Sequence, residues 1–306
     1  MKYLGPFFEK YSSLISLALT IIGLVVFKVG NEGYKIYYLS FLFLSFITLY
    51  YAIEGSRYKG YYKAFGRFNS GFADIHSISN VDIDNHKESA GDRYLIKNFL
   101  SSVQKAFEEI TQSRISVCIK VIIFDEEKKK YFLHTFLRDG YSEHREALDR
   151  EDMNKSVIHW LDSNTSFNTL FSVDKDGTTL TLVKPFFIKR YMPWSSSYKN
   201  SRVDHTLDST KNHLIQYILE KKFLRRIYLL LAWPVDYRSS IVVPIIPYKV
   251  EKIGEAVYDL ERKSKVIPKG LLCIDSNYSS ALRLRDVELM RGLADGIYND
   301  LKNVLK

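Results

Sequence analysis

The densest group of side chains able to do chemistry is His205, with Asp204 and Asp208 on either side and His213 eight residues on. Imidazole and carboxylate in that pattern suit a zinc site or an acid–base pair. The same stretch, KNSRVDHTLDSTK, also reads as a solvated turn entering a helix with Asp208 or Ser209 as its N-cap, and that is the reading adopted. A second set is aromatic and cationic. Trp160, Phe167, Phe171, Phe187, Tyr191 and Trp194 offer rings that could stack a planar ligand, and Lys189, Arg190 and Arg202 offer charge for a phosphate. The ligand-binding candidates are therefore Trp160, Phe187, Lys189, Arg190, Trp194 and Arg202; the competing reading is that these rings only fill a core beneath a long loop.

Other chemistry is excluded by pattern. The 15 glycines never approach G-x-x-x-x-G-K or G-x-G-x-x-G, and no H-E-x-x-H, G-x-S-x-G or kinase signature occurs. Asp82, Asp84, His86 and Glu88 do not make a calcium loop, because Lys87 and Arg93 stand where it needs glycine and an acid. The run reads as a solvated linker. Two cysteines cannot form a disulfide scaffold or a four-cysteine zinc site; Cys118 and Cys273 lie in apolar runs and read as buried, reduced thiols. No catalytic residue, metal or cofactor is assigned, and the chain is read as not an enzyme. Its 44 Lys/Arg against 35 Asp/Glu give +9. Residues 1–68 carry eight cations against three acids, and the rest 36 against 32, so the excess is N-terminal and no nucleic-acid polymer is expected as a partner.

The elements that would position these residues begin at Asp92. Ile96, Phe99, Val103, Ala106 and Ile110 recur at helical spacing over 93–110. ISVCIKVIIF (115–124) and YFLHTFLRDG (131–140), joined by EEKKK, predict a β-hairpin. A short helix is expected over 152–163, a strand over 179–188 interrupted by Pro185, and a helix over 209–222; Arg225 and Arg226 beside Lys221 and Lys222 read as a solvated helix face rather than a phosphate clamp. Strands follow at 239–248 and 270–276, then a helix over 284–305. Its stripe of Val287, Met290, Ala294, Ile297, Leu301 and Val304 suits packing on the domain's own sheet or, as a heptad seam, a dimer bundle; the first is adopted. Sequence-adjacent strands with helices gathered at the ends predict an α+β fold with an antiparallel sheet.

Residues 11–27 and 36–53 contain no charged residue, and KVGNEGYK between them is a turn-forming connection. At about 1.5 Å per residue each run just reaches across a thin hydrocarbon layer. The expectation is a transmembrane helical hairpin over 1–54 with the lipid bilayer as its partner. Six cations on the outer flanks against two in the loop place it in the inner (cytoplasmic) membrane as a multi-pass protein with both termini cytoplasmic. Tyr37, Tyr38, Tyr50 and Tyr51 would form an interfacial belt. Residues 55–91, opening YKGYYKAFGRF, read as a juxtamembrane linker, and 92–306 as the cytoplasmic domain.

Three segments of that domain resemble a GAF domain: the hairpin ISVCIKVIIFDEEKKKYFLHTFLRDG, the strand YRSSIVVPI, and GLLCIDSNYSSALRLRDVELMRGLADGIYNDL. Asp286, Leu289, Leu293, Ala294 and Ile297 stand at the positions of the family's closing helix. Residues 248–269 are longer than the family's turn, and 141–235 match poorly. The resemblance implies a sensory or regulatory module, commonly dimeric, that holds a small molecule between its sheet and the excursion helices. Cyclic nucleotides and tetrapyrroles are among the family's ligands; the absence of cysteine from the middle segment argues against a thioether-linked bilin.

The function expected is a membrane-anchored sensor or effector. A small ligand, such as a nucleotide, binds the GAF-like domain of a homodimer or higher oligomer, and the signal passes to the hairpin, as in anti-phage membrane effectors. The alternative is a non-catalytic membrane scaffold whose GAF-like domain mediates protein–protein interaction or dimerisation.

Overall fold

A computed structural model describes residues 23, 32–78, 90–142, 159–160, 166–173, 180–190, 224, 237–246, 268, 270–301 and 304. Its helices are α1 (Glu32–His76), α2 (Ala90–Thr111), α3 (Leu284–Gly296) and the short α4 (Tyr298–Leu301). Its strands are β1 (Ile115–Asp125), β2 (Lys130–Arg138), β3 (His159–Trp160), β4 (Phe171–Val173), β5 (Leu180–Leu182), β6 (Phe187–Arg190), β7 (Ser239–Ile245) and β8 (Gly270–Ser276). Six strands form an antiparallel sheet in the order β3-β2-β1-β8-β7-β6, and β4 and β5 pair separately. The mixed helix and antiparallel-sheet architecture is thus as expected.

The period-2 alternation of the strands sorts their side chains onto two faces. Ile115, Val117 and Ile119 of β1, Ile241, Val243 and Ile245 of β7, and Leu272 and Ile274 of β8 face one way. Phe99, Val103, Phe107 and Ile110 of α2 and Val287, Met290, Leu293 and Ala294 of α3 cover them. The apolar stripe of the last helix is therefore spent on the domain's own sheet, not on a seam left open for a partner. Cys118, Val242, Leu271, Cys273 and Phe187 face the other way, beneath Leu170, Phe171 and Leu180.

The hairpin turn uses local chemistry. Asp125 Oδ1 accepts from the backbone N–H of Glu127 and of Lys128, and Lys129 takes a left-handed φ of 51° to re-enter β2. Asp139, fully buried, closes the far end. It accepts from the Val117 N–H at 2.6 Å, from the Ser142 hydroxyl at 2.6 Å, and from the N–H groups of Tyr141 and Ser142 at 2.9 Å.

The N-terminal expectations require correction. Among the described residues no helix is long and apolar enough to cross a membrane. The transmembrane hairpin over 1–54 does not stand, and neither does the multi-pass inner-membrane placement built on it. The uncharged run 36–53 is interspersed with Tyr, Ser and Thr and opens a single helix that continues to His76; residues 11–27 lie outside the described residues except for Gly23. Nor do residues 55–76 form a linker. Ala64, Phe68 and Ile75 of α1, with Ile78 just beyond, lie in the main core against α2. The approach is close: a Cβ on Gly60 would lie 2.2 Å from the Glu109 carbonyl oxygen. Residues 79–89, with the acidic run at 82–88, lie outside the described residues.

Smaller differences have local causes. Pro185 splits the strand expected over 179–188 into β5 and β6, which join different sheets. His159 and Trp160, expected in a helix, form β3 against Leu133 and Phe132. The helix expected over 209–222, with His205 and His213, lies outside the described residues.

Candidate functional site

The register aligns the second face of the sheet into rows. Lys189 lies opposite Ser240, which lies opposite Asp275, which lies opposite Ser116. The next row runs Phe187, Val242, Cys273, Cys118 and Arg138. Beyond it, Lys120 lies between Leu271 and Thr135. A bulge at Ile119/Lys120 shifts the pairing with β2 at this point.

The polar groups in these rows are held in place. The Ser240 hydroxyl donates to the Asp275 carboxylate, and Lys120 Nζ donates to Thr135 Oγ1 at 2.7 Å. The 3-10 turn Ser166–Thr169 and the small β4–β5 sheet lie over this face. From the turn, Phe167 packs edge-to-face on Phe187 with ring centroids 5.5 Å apart, and Lys120 Nζ lies 6.0 Å from the same Phe167 ring. Among the described strand residues of this face, Arg138, Lys120 and Lys189 are set against one carboxylate, Asp275. The face therefore combines aromatic surface with an excess of positive charge, which suits a planar anion.

Among the expected ligand-binding residues, Phe187 and Lys189 lie on this face. Arg190 alternates to the helical side, where Nη2 donates to the Leu282 carbonyl at 3.3 Å. Trp160 is on β3, at the other edge of the sheet from Phe187 on β6; five strand spacings of about 4.8 Å separate those edges. Trp194 and Arg202 lie outside the described residues. The structure thus brings together Phe187 and Lys189 and joins them to Lys120, Ser240, Asp275 and the two cysteines. Those last residues were not singled out from sequence for a ligand. The available signal was alternation in SVCIKVI and LLCIDS, which sets Cys118 with Lys120 and Cys273 with Asp275.

A second polar cluster sits on the helical side. Asp286, in the first turn of α3, is fully buried; it accepts from Arg57 Nη2 and from the Tyr61 hydroxyl, both on α1, and from the Arg283 N–H at 2.7 Å. Arg57 Nη1 donates to the Ala281 carbonyl at 2.8 Å. Glu54 bridges Arg283 and Arg285, the latter at 2.7 Å. Burial pushes the Glu54 carboxyl up, but the two guanidinium groups outweigh it and hold it below its ordinary value. Burial and the neighbouring Asp286 carboxylate push the Tyr61 phenol up to about 12.

No protein-family model matches the chain, and no curated protein matches it. Among solved structures, a crystal structure of a far-red cyanobacteriochrome photoreceptor at room temperature is similar, with a TM-score of 0.26 and 12% sequence identity over 68% of this chain and 86% of that one. A likeness at that level fixes neither the fold nor a ligand for this chain.

Proposed function

We propose that this chain is a non-catalytic sensory module whose second sheet face binds a small planar anion of the nucleotide class. One observation carries the reading. On this face Lys120 of β1 lies beside the Phe167 ring, which packs on Phe187, with Arg138 on the neighbouring β2 and Lys189 on β6 at the sheet edge. Cations and stacked rings presented together on one sheet face suit a ligand that is both planar and anionic. The GAF-like order of hairpin, excursion and closing helix agrees with this use of the face.

Occupancy is read out on the opposite side. Ser240 and Asp275 lie on strands whose other face supports α3, and α3 holds α1 through Asp286 and Arg57. A ligand that binds two settings of this joint with different affinity shifts the balance between them. The test is a thermal shift of the full chain against mono-, di- and cyclic nucleotides. A concentration-dependent rise in Tm supports the reading, and a flat response across the panel counts against it.

A second reading, an interaction scaffold that pairs with another copy of itself, is favoured by the N-terminal half of α1. There Ile36, Leu39, Phe41, Phe43, Leu44 and Phe46 are exposed. Light scattering of the full chain separates the readings: the scaffold requires a dimer or higher oligomer without ligand.

A further inference from the structure

Cys118 of β1 and Cys273 of β8 are directly opposed in the antiparallel ladder at the centre of the sheet, on the same face. Opposed residues have Cα atoms about 4.5–5.5 Å apart. A disulfide spans Cα separations of about 4.4–6.8 Å. Their side chains share one face of the sheet, and the Cys273 thiol reaches the Leu271 carbonyl at 3.9 Å. We propose that Cys118 and Cys273 are a reversible dithiol site, oxidised to a cross-strand disulfide by a hydroperoxide. The proposal rests on the ladder register and stands whether or not the face takes a nucleotide.

The two sulfurs have different roles. The Cys273 hydrogen bond brings the Cys118 thiol down to about 7, and the Arg138 and Lys120 charges act in the same direction. Burial and the same sulfur contact push Cys273 well above its ordinary value. Arg138 stands opposite Cys118 in the β1–β2 ladder and Lys120 lies two residues on along the same face, so Cys118 is the sulfur placed to carry the thiolate. The Cys118 thiolate attacks the outer oxygen of the hydroperoxide; the O–O bond breaks, and the departing alkoxide or hydroxide takes a proton to leave as alcohol or water. Cys118 is then a sulfenic acid. Cys273 sulfur attacks the Cys118 sulfur, the S–S bond forms, the S–O bond breaks, and the hydroxide leaves as water with the Cys273 proton. Two thiols and one hydroperoxide become one disulfide, one alcohol or water, and one water.

Both cysteines are buried beneath the cover carrying Leu170, Phe171 and Leu180, so oxidation requires that cover to open. Cβ atoms of opposed residues are about 4.5–5.5 Å apart. A disulfide wants about 3.5–4.5 Å. The strands must draw together to close the bond, and a bond held under that strain is easily reduced.

The experiment treats the full chain with hydrogen peroxide, alkylates it in denaturant, and reads intact mass and peptides. The expected result is loss of both alkylations, a mass fall of two hydrogens, a peptide joining Cys118 to Cys273, and full reversal by dithiothreitol. Full alkylation of both cysteines after peroxide overturns the proposal. So does oxidation to sulfinic or sulfonic acid with no joined peptide. The single variants test the roles. Cys273→Ser keeps a hydroxyl donor beside Cys118 and should accumulate a dimedone-reactive sulfenic acid there, whereas Cys118→Ser should not at Cys273. Equal dimedone labelling in the two variants contradicts the assignment of Cys118 as the attacking sulfur.

Discussion

Arg57, midway along α1, donates to the carboxylate of Asp286, a residue 229 positions later that is fully buried in the first turn of α3. This contact ties the N-terminal helix to the closing helix of the domain. Both side chains are withdrawn from water, so each depends on the other to satisfy its charge. Replacing Asp286 with Ala leaves the Arg57 guanidinium buried without its anion and strips the Arg283 N–H of its acceptor. The expected loss is about 3–5 kcal/mol, read as a lower denaturant midpoint.

Glu54 extends the same joint and gives it a pH dependence. Its carboxyl is held below its ordinary value of 4.5 by Arg283 and Arg285. The folded state therefore binds the proton less readily than the unfolded chain. The stability contributed is complete above the ordinary value and is lost as pH falls through the folded one. Glu54→Gln should narrow the stability difference between neutral and acid conditions relative to wild type. Parallel pH–stability curves for the two proteins would contradict this.

Gly60 marks where α1 and α2 touch backbone to backbone. A methyl group there would lie 2.2 Å from the Glu109 carbonyl oxygen and 2.7 Å from Ile110 Cα, neither of which can swing aside. Gly60→Ala should force the helices apart and cost about 1–3 kcal/mol in thermal or chemical unfolding. An unchanged midpoint would show that α1 does not pack on α2 at this distance.

At the hairpin, Lys129 sits at φ 51°, a conformation that glycine takes without steric cost. Lys129→Gly should raise the unfolding free energy by about 1 kcal/mol, with no change in denaturant m-value.

What the sequence disclosed and what it hid follow from range. The β1–β2 hairpin, the Ser239–Ile245 and Gly270–Ser276 strands and the closing helix were legible because alternation and helical spacing are local. Pro185 announced an interruption, but whether it ended a strand or divided it between two sheets depends on partners elsewhere. The membrane expectation came from treating 36–53 as a unit bounded by charge. Helix α1 runs through that boundary because Ala64, Phe68 and Ile75 find α2 to pack against. Arg57 looked like one of several flanking cations; its partner, Asp286, is known only once the closing helix is placed. The opposition of Cys118 and Cys273 needs the β1–β8 register, which no local pattern fixes. Phe187, Lys189 and Arg190 were grouped by proximity in sequence, yet strand alternation sends Arg190 to the other face.

A planar anion held on the second face of the sheet must show itself as saturable binding that depends on that face's cations. Isothermal titration of mono-, di- and cyclic nucleotides into the full chain, and into Lys120→Ala and Lys189→Ala, tests it most directly. The expected result is saturable binding of a nucleotide to wild type, weakened about tenfold or more in Lys120→Ala by loss of a charge-assisted contact. No heat with any nucleotide, or equal affinity in all three proteins, would contradict it.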